Sequence, residues 1–236
     1  MTLAADTIAR SLAEVRARIA RAASRAGRDP SAVTLVAVSK TVPAARVRLA
    51  YEAGVRDFGE NRVQEGVAKV AELALPDATW HLIGHLQTNK ARPAARSFGM
   101  IHSVDSRRVG EALAGEGGKL GTTLDVLLEV NLAGEESKFG FSPDEALAEV
   151  AAIAGLPNLR LLGLMTVAPL VDDAELVRPL FRAMRQLGED LRPRLGNPSP
   201  WHLSMGMTND FEVAIEEGAT IVRVGRAIFG ERQAVG

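Results

Sequence analysis

Two kinds of position in this 236-residue chain carry side chains suited to chemistry. The first is a lysine. In Thr34-Leu-Val-Ala-Val-Ser-Lys40, the amine follows a nearly unbroken apolar run, in a chain that uses only five lysines against 23 arginines. At the mouth of a low-dielectric interior the ammonium form is disfavoured, which lowers the pKa and frees the amine to attack a carbonyl. Lys40 then reads as a Schiff-base lysine; the alternative is a side chain that snorkels to solvent from a strand end. The second is a pair of loops near the C-terminus. In Trp201-His-Leu-Ser204-Met-Gly206-Met-Thr208-Asn-Asp210, Ser204 and Thr208 bring hydroxyls and Gly206 lets the backbone come close. The helix that follows presents its free N–H groups. Ile221-Val-Arg223-Val-Gly225-Arg226 adds another close-approach glycine and two arginines. Together the loops read as an anion cradle; ordinary N-caps and turn glycines are the alternative.

These residues need elements to position them. Short apolar runs at Thr34–Ser39, Asp57–Gly59, Trp80–Gly84, Met100–Ser103, Leu124–Asn131, Arg160–Met165, Trp201–Ser204 and Thr220–Gly225 read as strands. Most are continuous rather than alternating, the pattern of parallel strands covered on both faces. Helical spacing fills the intervals: Ala44–Ala53, Val63–Leu73, Thr88–Ala95, Ser106–Ala114, Pro143–Ala154, Ala174–Leu191 and Asp210–Glu217. Gly115–Gly121 and Arg192–Pro200 read as short loops. Eight strands, each followed by a helix, fit a single (β/α)8 TIM-type barrel over about residues 33–231. An open doubly wound sheet is the alternative, but no G-x-G-x-x-G follows the first strand. An additional N-terminal helix spans about residues 6–27, with Ile8, Leu12, Val15, Ile19 and Ala23 on one face and Arg10, Arg16, Arg18, Arg21 and Arg25 on the other. Its apolar stripe has no large aromatic anchor, so it is expected to pack on the barrel with a solvated basic face, not on a membrane or RNA. No linker or repeat divides the chain, and one domain over residues 1–236 is expected.

Composition removes several function classes. With 28 basic and 29 acidic side chains the formal charge is −1, so no global field favours nucleic acid or an anionic membrane. The absence of cysteine excludes disulfides, thiolate metal sites and cysteine nucleophiles. Apolar runs such as Leu124–Val130 fall far short of the roughly 20 residues that span a bilayer. No charged-then-apolar leader opens the chain, so a cytoplasmic protein is expected. His81 and His85, four apart on a strand, would stand about 13 Å apart, and with His102 and His202 they are not expected to bind metal.

In a parallel barrel the working face is the carboxyl end of the strands, and phosphate sites recur after the seventh and eighth. A carbonyl-reactive lysine across the mouth from such a cradle suits a ligand with both an aldehyde and a phosphate. Pyridoxal 5′-phosphate is one; a phosphorylated sugar on an aldolase-type lysine would use the same two elements. Ala37-Val-Ser-Lys40-Thr, Phe58-Gly-Glu-Asn61-Arg-Val-Gln-Glu65, Trp80-His-Leu-Ile-Gly84-His-Leu-Gln-Thr-Asn-Lys90, Glu129-Val-Asn131, Ser137-Lys-Phe-Gly140, Gly163-Leu-Met165-Thr, Leu203-Ser-Met-Gly206-Met, Val222-Arg-Val-Gly225 and Ile228-Phe-Gly230 decide between them. In order, from about Val33 to Glu231, they resemble the pyridoxal phosphate homeostasis protein family, single-domain relatives of the alanine racemase N-terminal barrel (fold-type III).

The resemblance implies a protein that holds pyridoxal 5′-phosphate as an aldimine on Lys40 and buffers or delivers it, with apoenzymes as recipients and no established turnover. It implies Asn61 near the ring hydroxyl, Ser204, Gly206 and Gly225 at the phosphate, and Arg223 at the pyridine nitrogen. An arginine there leaves the ring nitrogen unprotonated and the cofactor a weak electron sink. Arg226 departs from the small hydroxyl residue expected after Gly225; it either grips the phosphate or turns to a carboxylate such as Glu231. Lys90 and Lys138 either border the entrance or are ordinary surface charges. The alternative function is an amino-acid racemase or decarboxylase. Its second base would be a tyrosine from a C-terminal domain expected to be absent here, and the only tyrosine, Tyr51, is a poor substitute. An aldolase would need a general acid or base beside the lysine, for which Glu60 and Glu129 are the strand-end candidates. A monomer is expected.

Overall fold

The apolar runs close into one parallel barrel. The computed structural model describes residues 3–135 and 138–230, and its eight strands follow chain order around the barrel. They are β1 (Thr34–Val38), β2 (Asp57–Glu60), β3 (Thr79–Leu82), β4 (Met100–Val104), β5 (Leu124–Glu129), β6 (Leu159–Met165), β7 (His202–Ser204) and β8 (Ile221–Val224). The helices are α1 (Leu3–Arg25), α2 (Ala44–Glu52), α3 (Val63–Leu73), α4 (Ala91–Ser97), α5 (Arg107–Leu120), α6 (Pro143–Ala154), α7 (Arg178–Leu191), α8 (Phe211–Glu216) and α9 (Arg226–Phe229). Closure comes from β1 on β8, in register from Thr34 opposite Ile221 to Ala37 opposite Val224. This is the expected (β/α)8 architecture with its additional N-terminal helix.

The helix after β8 is a single turn, too short to cover that side of the barrel. α1 takes its place, packing against α2, α8 and α9 and burying Ile8, Leu12, Val15, Ile19, Ala22 and Ala23. Its basic face is less solvated than its spacing suggests. Arg18 reaches Glu212 at 2.8 Å and lies over the Phe211 ring, Arg25 pairs with Glu216 at 2.7 Å, and Arg16 donates to the Gly54 carbonyl. Half-exposed pairs of this kind contribute about 0–1 kcal/mol each, so the apolar stripe does most of the holding.

Most element boundaries shift by a residue or two, and four assignments change. Ala174–Leu191 divides into a 3-10 turn at Ala174–Val177 and α7, and Arg192–Pro200 opens with a 3-10 turn at Arg192–Leu195. Gly115–Gly121 is not a loop: α5 runs through it to Leu120, and Gly121 in the left-handed conformation ends it. Glycine is tolerated there because Gly117 and Gly118 pack against Asn158, where a side chain would crowd; tertiary packing overrides helix propensity. Thr88–Ala95 divides into a 3-10 turn at Thr88–Lys90 and then α4.

The barrel interior has two characters. Val36, Leu127, Leu162, Met165 and Ile221 form an apolar cluster of their own. Around them His81, His102, Ser204 and Arg223 are buried polar groups, and they are the start of the site.

Candidate functional site

Lys40 stands just beyond β1, half-buried, and the chain on both sides of it is tied down. The Ser39 N–H donates to the Gly59 carbonyl at 2.9 Å, and the Ser39 hydroxyl donates to Glu60 Oε1 at 2.7 Å. Thr41 adopts a left-handed conformation at φ 62°, and its N–H donates to Glu65 Oε1 at 2.6 Å. Lys69, from α3, joins the two carboxylates at 2.8 Å each and also donates to the Ser39 carbonyl. Glu60 is fully buried and Lys69 nearly so. Burial pushes the Glu60 carboxyl above its usual range, against the opposing pull of Lys69 and Ser39. Removing one partner of such a pair strands a charge and costs about 3–5 kcal/mol. A Glu–Lys pair four apart on a helix reads as a surface feature, which is why sequence alone gives Lys69 and Glu65 no role.

Beside Lys40 at the mouth, because β8 pairs with β1, the loops after β7 and β8 form the cradle. Gly206 holds φ +93°, and a Cβ there would lie 2.6 Å from the Ala214 Cβ. A Cβ on Gly225 would come within 3.1 Å of the Val38 carbonyl oxygen. Among the described residues the N–H groups of Gly206 and Gly225 donate to nothing, as befits groups facing a ligand. The Asp210 carboxylate accepts from the Met207 N–H and fixes the first loop. Arg226 is exposed and reaches Asn209 Oδ1 at 3.3 Å, tying the second loop to the first. Glu231, the other partner considered for Arg226, lies outside the described residues, as does Ser137.

Arg223 lies beneath the cradle, buried. Its guanidinium donates to the Ser204 carbonyl at 2.8 Å, the Ser204 hydroxyl at 2.7 Å and the Thr166 carbonyl at 2.8 Å. Burial lowers its pKa to about 10, opposed by Glu129 and Asp210, so it stays a cation at neutral pH. Ser204 is also wholly buried, and its hydroxyl contacts only His102 and Arg223 among the described residues. That hydroxyl therefore points into the barrel interior, whereas Gly206 and Gly225 line the cradle.

Two polar side chains at the mouth are left wanting a partner. Asn61 Oδ1 and Glu129 Oε2 are buried and accept no hydrogen bond among the described residues. Asn61 is held close to β3 because Gly84 leaves room: a Cβ at position 84 would lie 2.4 Å from the Asn61 carbonyl oxygen. The Glu129 carboxyl is pushed up to about 7, first by burial and then by Asp105, with Arg223 pulling the other way. Beside the mouth, His85 pairs with Asp105 at 2.7 Å and stacks on the exposed ring of Phe139, centroids 3.6 Å apart. Lys138 is tied to Glu135 at 2.7 Å, and Lys90 is half-buried at the end of its 3-10 turn. Tyr51 donates to Asp77, which precedes β3 at the opposite end of the barrel from Lys40.

The structure thus brings Lys40, Asn61, Arg223, Gly206 and Gly225 to one end of the barrel, with Arg226 on the rim and Ser204 one layer below. The signal for Glu129 was present in its strand-end position, and that for Asn61 in its motif. Nothing local marks Lys69, Glu65, His81, His102 or Thr166, whose partners come from other strands and helices. No helix among the described residues is long and apolar enough to cross a membrane, and no three metal-ligating side chains gather among them.

Comparison with known proteins shows the family. The family model for the N-terminal domain of alanine racemase matches residues 11–233. A pyridoxal phosphate homeostasis protein of Pseudomonas aeruginosa is 47% identical over 227 residues, 96% of each chain. One from Aquifex aeolicus is 44% identical over 222 residues, 94% of this chain and 97% of the relative. PipY of Synechococcus elongatus, solved with and without pyridoxal phosphate, is 43% identical, covers 94% of this chain and all of its own, and superposes with TM-scores of 0.84 and 0.85. Alanine racemase of Clostridium difficile shares the fold, with a TM-score of 0.74 at 15% identity over 98% of this chain and 58% of the enzyme. The chain belongs to the alanine racemase N-terminal domain family and, within it, to the pyridoxal phosphate homeostasis proteins.

Proposed function

We propose that this chain binds pyridoxal 5′-phosphate covalently through Lys40 and holds it for delivery to other proteins, without turning over a substrate of its own. The observation that carries the reading is the match between ligand and mouth: a pinned lysine faces two loops with free backbone N–H groups, in a chain closely similar to PipY, which was solved with this cofactor. Asn61 Oδ1 and Glu129 Oε2, buried at the same end of the barrel without a hydrogen-bond partner among the described residues, leave polar groups there that a ligand could satisfy.

When bound, the cofactor supplies an aldehyde for a lysine amine and a ring that withdraws electrons. Glu60, Glu65 and Lys69 hold the backbone at Ser39 and Thr41, so Lys40 leaves β1 in one direction. Gly206 and Gly225 offer N–H donors to the phosphate. Asn61 would serve the ring hydroxyl. Arg223 can only donate, so if it met the pyridine nitrogen it would hold that lone pair without transferring a proton, and the ring would be a weak electron sink. Arg226 braces the two cradle loops through Asn209. Every group belongs to one chain, so a monomer suffices. The tyrosine base of a two-base racemase has no counterpart here, because Tyr51 is engaged at the other end of the barrel. Relatives named as homeostasis proteins fit a carrier, with apoenzymes that need the cofactor as recipients in the cytoplasm.

The test compares the chain with Lys40→Ala. On adding pyridoxal phosphate, the native chain is expected to develop a visible absorption band and to pass the cofactor to an apoenzyme; the variant develops no such band. Interconversion of alanine enantiomers that is lost with Lys40→Ala would replace the carrier reading with the racemase one.

A further inference from the structure

Four hydrogen bonds cross the barrel interior from one end to the other. At the N-terminal end, Asp57 Oδ1 lies 3.0 Å from His81 Nε2. His81 Nδ1 lies 2.9 Å from His102 Nε2, and the two rings meet edge to face. His102 Nδ1 lies 2.9 Å from the Ser204 hydroxyl, which receives Arg223 at 2.7 Å. The path climbs from β2 through β3 and β4, crosses to β7, and ends on β8 beneath the cradle. Its histidines and serine are buried, while Asp57 is partly open to a cavity of about 420 Å³ lined also by Arg16, Arg56 and Thr34.

The chemistry of the two ends gives this chain a direction. A guanidinium only donates and a carboxylate only accepts. If Ser204 accepts from Arg223 and gives its one hydrogen to His102 Nδ1, then His102 carries its proton on Nε2. It then donates to His81 Nδ1, and His81 donates through Nε2 to Asp57. All four contacts are satisfied with both rings neutral. The opposite polarity leaves the Ser204 hydrogen without an acceptor among the described residues. It also sets a bare His81 nitrogen against the Asp57 carboxylate, unless His81 becomes a second buried cation. Burial already drives the His102 ring toward neutrality, and His81, Arg223 and His202 push the same way. Asp125 faces His202, and Glu129 and Asp210 face Arg223.

We propose that Asp57, His81 and His102 form a one-way hydrogen-bond relay that positions the Ser204 hydroxyl and, through it, the Arg223 guanidinium for the cofactor. The relay makes Ser204 an acceptor toward Arg223 and fixes the fork of the guanidinium between Ser204 and Thr166. Its effect on the cofactor rests on the function proposed above; its polarity does not.

Histidine ring-nitrogen NMR of the full chain tests the polarity. Both His81 and His102 are expected to carry the proton on Nε2, and the buried His102 ring to remain neutral through the range where free imidazole titrates. A proton on His102 Nδ1, or a charged ring, overturns the relay whether or not the chain binds cofactor. Coupling is tested from the far end with Asp57→Ala, which alters the rim and not the site. We expect changed ring signals, a changed absorption band of the bound cofactor and about fivefold weaker pyridoxal phosphate binding. Asp57→Asn keeps an acceptor and should restore all three; Asp125→Ala, on the same rim but outside the relay, should leave them unchanged. An Asp57→Ala chain with native affinity and spectrum, or an equal effect from Asp125→Ala, overturns the positioning role. Failure of the native chain to bind pyridoxal phosphate would instead refute the proposed function, and the ring signals would still decide the relay.

Discussion

Glu129 shows how one residue at the mouth links the site to stability. Its carboxyl holds a proton up to about pH 7 in the folded chain, against an ordinary value of 4.5. Between those values the folded chain binds more protons than the unfolded one, so stability falls as pH rises through this window. The loss is complete above the folded value and amounts to at most about 3 kcal/mol. Glu129→Gln removes the charge and keeps the shape. Thermal unfolding should show the variant more stable than the native chain above pH 7, with that advantage gone at pH values below 4.5. An equal effect at both ends would mean that something other than this proton is responsible. The same carboxyl and the Asn61 oxygen are strained without a ligand, since a buried unsatisfied polar group costs about 1–3 kcal/mol.

At the scale of elements, α1 separates scaffold from site. Leu12 is almost fully buried between α1 and the barrel and touches no group at the mouth. Leu12→Ala should lower unfolding stability by about 3 kcal/mol, measured by denaturant titration, while cofactor affinity of the folded fraction stays native. Much of this layer could be read from the chain. Continuous apolar runs such as Leu124–Glu129 announced parallel strands, and Lys40 and Gly225 stood at strand ends. What stayed hidden depends on register. His81 and His102 look like unrelated histidines until β3 pairs with β4, placing His81 opposite Met100 and so beside His102. Lys69 looks like half of a surface pair until α3 lays it over Glu60 and the Ser39 carbonyl. Gly115–Gly121 looked like a loop because its contact with Asn158 comes from the far side of α6. Local patterns reveal which face of an element is apolar; they do not reveal which polar groups a closed barrel brings together.

For the molecule as a whole, the two ends of the barrel have separate work. The C-terminal end carries the lysine, the cradle and the orphaned acceptors, while the N-terminal end carries Asp57 and the cavity beside it. With a formal charge of −1, the chain has no long-range field to draw an anionic ligand, so affinity rests on the mouth itself. The central claim is that this mouth holds pyridoxal phosphate on Lys40. The most direct measurement is the visible spectrum of the protein mixed with pyridoxal phosphate, before and after borohydride, followed by peptide mass mapping. The protein is expected to turn yellow and to bleach on reduction, with one reduced cofactor per chain fixed on the peptide containing Lys40. A protein that stays colourless, or a cofactor fixed on Lys69, Lys90 or another lysine, would contradict it.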